Sequence, residues 1–113
     1  MPEKRDRTIE ELIETEAEAA CLATDGVSCM AMLTSDMIAE SIRLKNPSRG
    51  IKLSKDGDEY IIDVYAEVSF GCRIPETAWN IQENVKQRVE KNTSAKVSKI
   101  NIHIEGVKPK EEE

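Results

Sequence analysis

The sequence predicts an α+β domain: a small mixed β-sheet of three to four strands with two main helices on one face. Three stretches carry that expectation. IKLSKDGDEYIIDVYAEVSF holds two alternating apolar runs joined at Asp56-Gly57, the signature of a β-hairpin. IPETAWNIQENVKQRVEKN opens on a proline and repeats apolar residues at helical spacing. KINIHIE then alternates isoleucine with polar residues, as a half-buried strand does. Strand, helix and strand in that order require a crossover, and the two strands run parallel if they share a sheet.

The elements follow in chain order. Thr8-Ile9-Glu10-Glu11 fits a capping box, with the Thr8 hydroxyl at the N-cap and Glu11 three residues on. Ile9, Leu12, Ile13, Ala20 and Ala23 fall on one helical face. Glu10, Glu11, Glu14, Glu16 and Glu18 crowd the early turns, where the helix dipole favours negative charge. Asp25-Gly26 stops the helix. In VSCMAML, Val27, Cys29, Ala31 and Leu33 alternate with Ser28, Met30 and Met32, which reads as a short strand that could be buried on both faces. Ser35 to Leu44 suggests a short helix that ends at Asn46-Pro47.

For the hairpin, a two-residue turn at Asp56-Gly57 pairs Leu53 with Tyr60 and Ile51 with Ile62. Val64, Ala66 and Val68 continue that face; Lys52, Ile61, Asp63, Tyr65 and Glu67 form the other. The second helix begins near Pro75 and buries Ala78, Ile81, Val85 and Val89. In the last strand Ile100, Ile102 and Ile104 face the core, while Asn101, His103 and Glu105 face away. Residues 1–7 read as a disordered N-terminal lead, 8–107 as a single domain, and 108–113 as a disordered acidic tail.

Composition narrows the function. A chain of 113 residues has room for one domain. Its net charge of -6 disfavours a general nucleic-acid binder, which needs a basic face to displace counterions. No apolar run is long enough to span a bilayer, and the charged start MPEKRDR lacks the apolar core of a signal peptide, so a cytoplasmic location is expected. Cys21, Cys29 and Cys72 are odd in number and form no C-x-x-C pair, so they read as reduced thiols rather than a metal or redox set. No phosphate-cradling glycine motif occurs.

Three features remain. His103, the only histidine, shares the open sheet face with Asp63 and Glu67. A general base or metal ligand is one reading; with no nucleophile motif aimed at it, a surface residue bonded across strands is the better one. Arg43, Lys45, Arg49, Lys52 and Lys55 form a basic stretch that suits weak contact with anionic lipid head groups or RNA, or simply a solvated loop and strand edge. Trp79 lies roughly 120° from the centre of its helix's apolar stripe. It either folds down over the sheet edge against Phe70 or anchors a partner.

The segment SRGIKL…DVYAEVSFGCRIPETAWNIQENVKQRVEKNT…VSKINIHIEGV resembles the alkaline-shock-protein family, envelope stress response proteins of Gram-positive bacteria. Phe70-Gly71 with Ile74-Pro75-Glu76, then Ile81-Gln82-Glu83-Asn84-Val85, then Asn101 to Val107 carry the likeness. The chain departs at Ser94, where members carry glycine, and at Ser28 to Ala31, where a glycine-rich stretch is common. The resemblance implies a non-enzymatic scaffold or adaptor without catalytic, cofactor or metal residues. It implies recruitment to the membrane through a membrane-anchored protein partner; the open sheet face and the Trp79 helix flank would be presented to partners or to copies of the chain itself, so self-association is expected, and a regulatory module bound to an enzyme of lipid synthesis is the alternative. Trp79, Tyr65, Glu67, His103, Arg49 and Lys52 are the candidate partner-binding residues.

Overall fold

A computed structural model describes residues 8–33 and 50–109. The elements are α1 (Ile9–Leu22), β1 (Val27–Met30), β2 (Ile51–Asp56), β3 (Glu59–Ser69), α2 (Ile74–Asn92) and β4 (Val97–Lys108). The expected α+β architecture is what forms. β3 is the central strand of a mixed sheet. β2 pairs antiparallel with its first half and β1 with its last residues, so the two share one edge of β3. β4 runs parallel along the other edge, from Tyr60↔Val97 to Ser69↔Lys108. α2 is the crossover between those parallel strands. α1 packs over β1 and β2, and α2 packs beside it over β4.

One continuous core lies between the helices and the sheet. Ile13, Ile51, Leu53, Ile62, Val64, Ile81, Val85 and Val89 are fully buried in it. The opposite face carries a smaller cluster of Ala31, Leu33 and Tyr65. The N-cap of α1 forms as the sequence suggests, with Thr8 Oγ1 accepting from the Glu11 N–H at 3.1 Å. Proline in the first turn opens α2, where an N–H has no helical partner to lose.

Four expectations change in detail. The buried stripe of α1 is Ile13, Ala17, Ala20 and Cys21; Leu12 is only half-buried and Ala23 is exposed, because the helix stops at Leu22 and Ala23 is its C-cap. In α2, Thr77 takes the buried place expected for Ala78. The hairpin register differs by two residues: Asp56 pairs with Glu59, Leu53 with Ile62 and Ile51 with Val64. The turn residues are therefore Gly57 and Asp58, and only Gly57 has positive φ (65°), the pattern of a turn with glycine at its first central position. A shift of two leaves every side chain on its expected face, because the strand period is two.

The fourth change concerns β1. A bulge between Val27 and Cys29 separates the two. Val27 and Met30 pack against the main core, whereas Ala31 and Leu33 join Tyr65 on the far face. The alternation in VSCMAML thus belongs to two faces. The helix expected over Ser35 to Leu44 lies outside the described residues.

Candidate interaction surfaces

Two surfaces stand out, and strand alternation builds the first. On the face of β3 away from the helices, Asp63, Tyr65 and Glu67 stand in a row, and β4 sets Asn101 and His103 beside Asp63 and Tyr65. Asp63 Oδ1 accepts from Asn101 Nδ2 at 3.1 Å and lies 2.9 Å from His103 Nε2. The His103 ring stacks on Tyr65, with centroids 4.2 Å apart and planes 7° from parallel. Burial holds the Tyr65 phenol above its ordinary pKa, and the nearby Asp63 and Glu105 carboxylates add to this. Glu67 meets Lys108 Nζ at 3.4 Å and the Cys29 thiol at 3.8 Å.

This row is closed on itself. The His103 nitrogen facing Asp63 is taken, and one face of its ring is covered by Tyr65. The thiol on this face, Cys29, is directed at Glu67. The arrangement is a cross-strand polar ladder. Among the described residues, no group of three histidine, cysteine or acidic side chains could hold a metal ion.

The second surface is apolar and lies at one end of the molecule. Phe70 follows β3, Ile74 begins α2, and Trp79 lies on the second turn of that helix; they are 67, 40 and 60 % exposed. Val107, half-exposed near the end of β4, belongs to the same end, since the Phe70 N–H donates to the Lys108 carbonyl at 2.8 Å. Trp79 therefore does not fold down to become buried. α2 bonds to α1 through Arg88 and Asn92, both to Glu16, and through Asn84 to Thr24 just past the end of α1, and its sheet-facing residues are Ile81, Val85 and Val89. At about 100° per residue, Trp79 and Gln82 fall on the flank away from α1.

The six candidate residues thus separate. Tyr65, Glu67 and His103 are together on the polar face; Lys52 lies on β2 in register with Asp63. Trp79 belongs to the apolar end. Arg49 lies outside the described residues, as do Arg43 and Lys45, while Lys55 Nζ sits 4.7 Å over the Tyr60 ring. Sequence reading missed Phe70, Ile74 and Val107 as exposed residues. Phe70 immediately before Gly71 was the available signal, since a strand that ends there has no further face to bury it.

The structure defines a small α+β domain with one helix-covered sheet face, one polar face and a solvent-exposed apolar end. The chain belongs to the alkaline shock protein 23 family, described as having a cell envelope-related function, whose profile matches residues 3–109. It is 37% identical over 97 residues to "Uncharacterized protein YqhY" of Bacillus subtilis, covering 86% of this chain and 72% of that protein. It is 34% identical over 100 residues to "Uncharacterized protein YloU" of the same organism, covering 87% and 83%. It is 29% identical over 87 residues to "Uncharacterized protein Spy1535" of Streptococcus pyogenes, covering 76% and 67%. No solved structure matches the chain significantly. Among the described residues, no helix is long and apolar enough to cross a membrane.

Proposed function

We propose that this protein is a non-catalytic scaffold or adaptor of the cell envelope, held at the membrane by a membrane-anchored protein partner. The observation that carries this reading is the exposed apolar set Phe70, Ile74 and Trp79, confined to ten residues of the chain. A monomer with a filled core gains nothing from exposing these three large side chains, and exposed aromatic residues are the usual anchors of protein interfaces. The polar face supports the same reading. Its histidine is engaged by Asp63 and Tyr65, and Glu67 by Lys108 and Cys29, so that face offers a rigid surface rather than a reactive group. The family's envelope-related function gives the location where a partner would be met.

Binding to isolated envelope membranes tests this. The wild-type chain should bind, and Trp79→Ala should weaken binding by roughly 2 kcal/mol or more. Trypsin treatment of the membranes beforehand should abolish binding, since a protein holds the site. Binding that survives trypsin, or that Trp79→Ala leaves unchanged, would remove the proposal.

A further inference from the structure

β4 is a twelve-residue strand paired on one side only among the described residues. A free edge of that length presents a row of unpaired backbone donors and acceptors, and such edges are normally short, covered or blocked. Ile102 and Ile104, on its helix-facing side, are half-buried, whereas Val64 and Ala66 beside them on β3 are fully buried. Among the described residues, the outer flank of β4 is thus uncovered.

The sequence of the edge identifies what fits it. Lys99-Ile100-Asn101-Ile102-His103-Ile104-Glu105 reads the same in both directions by residue class: charged, apolar, polar, apolar, polar, apolar, charged. The two end charges have opposite sign. We infer that β4 pairs antiparallel with β4 of a second copy about a two-fold axis at Ile102, joining the two sheets into one. In that register Lys99 faces Glu105 of the second copy, twice over. Asn101 faces His103, Ile100 faces Ile104, and Ile102 faces itself. A slip of two residues in either direction separates the charge pairs, and a slip of one sets polar residues against isoleucines. Lys96 and Lys108 lie at the ends, with the bulge after Ala66 at Glu105 placing them out of direct opposition.

The axis is normal to the sheet, because paired residues share a face. Both helical layers therefore lie on one side. The α2 flanks carrying Trp79 approach the seam from each copy, and the two His103–Tyr65 ladders lie side by side on the other face. An adaptor built this way is bivalent, and two weak contacts to a membrane partner would act together. This inference rests on the scaffold reading above and names the self-contact within it.

Sedimentation of the full chain tests the seam. The wild type should be a dimer in the micromolar range. Lys99→Glu and Glu105→Lys, both at exposed positions, should each weaken dimerisation by about tenfold or more by opposing like charges, with circular dichroism unchanged. An equimolar mixture of the two variants should dimerise again, since each then presents the charge the other lacks. With Cys29 and Cys72 replaced by serine, Ile102→Cys should cross-link to itself on mild oxidation and Ile104→Cys should not, because only the residue on the axis meets its own copy. A monomeric wild type, single variants that still dimerise, or a mixture that stays monomeric would overturn the seam. A monomer that still binds trypsin-sensitive membrane sites would remove the seam and keep the adaptor reading; a dimer without such sites would do the reverse.

Discussion

Tyr60 shows how much one side chain can tie together. It is buried on the helix side of β3, and its hydroxyl donates to Glu10 Oε2 of α1 at 2.8 Å. Burial, and then the Glu10 carboxylate, push its pKa up to about 12. Cys21 in α1 is raised to about 12 as well, by burial first and by Glu18 second. For both groups the neutral form is the one the fold accepts. Their stabilisation is complete below the unfolded values of 10.0 and 9.0 and is lost as pH rises toward about 12. Urea melts across that range should therefore show falling stability, and Tyr60→Phe should remove part of the slope while costing about 1 kcal/mol at neutral pH. A slope identical in the variant would show that Tyr60 does not titrate with unfolding. Gly50 and Gly57 make a second contrast. Both have positive φ, but a Cβ on Gly50 would sit 2.5 Å from the Tyr65 carbonyl oxygen, whereas one on Gly57 meets nothing within 4 Å. Gly57→Val should cost roughly 1–3 kcal/mol from backbone strain alone. Gly50→Ala adds a backbone clash to the same strain and should lower the denaturant midpoint further than Gly57→Ala does.

At the scale of the element, α2 is divided into three strips with separate tasks. Ile81, Val85 and Val89 dock it on the sheet. Arg88 and Asn92 bond it to α1, where both reach Glu16 and hold its carboxyl below the ordinary value, and Asn84 bonds it to Thr24 just past the end of α1. Trp79 is left to solvent. Stability and association should follow the strips. Ile81→Ala should cost roughly 2–5 kcal/mol, as truncation of a buried aliphatic does. Trp79→Ala should stay well below the roughly 3–5 kcal/mol of a core aromatic, while binding to envelope membranes weakens. Thermal melts and the membrane-binding assay on the same proteins separate the two effects. A Trp79 variant that loses stability like Ile81→Ala would make it a core residue. The α1 cap offers a smaller test: Thr8→Ala should cost about 1 kcal/mol by removing the capping hydroxyl to which the Glu11 N–H donates.

At the scale of the molecule, β3 is the strand on which everything depends. Among the described residues it pairs with every other strand, and it carries residues of both faces. β4 alone covers one whole edge of it, so a chain ending at Lys96 should not fold, whereas one ending at Pro109 should melt like the full chain. Circular dichroism on the two truncations decides this; a folded Lys96 truncation would mean that β4 is an accessory to the sheet.

The sequence by itself determined the elements of β2, β3, α2 and β4, the parallel crossover, and which residues of β3 and β4 point to each face. Those follow from local periodicity, which repeats every two residues in a strand and every 3.6 in a helix. The facing of the hairpin side chains survived a two-residue error in register for the same reason. Only the tertiary structure decided the faces of β1, where a one-residue bulge turned Ala31 and Leu33 to the side of Tyr65. It alone placed Thr77 rather than Ala78 against the core, stacked Tyr65 on His103, and left Phe70, Ile74 and Trp79 uncovered. Periodicity says which residues share a side of one element. What covers that side depends on neighbours distant in sequence, and no local pattern encodes them.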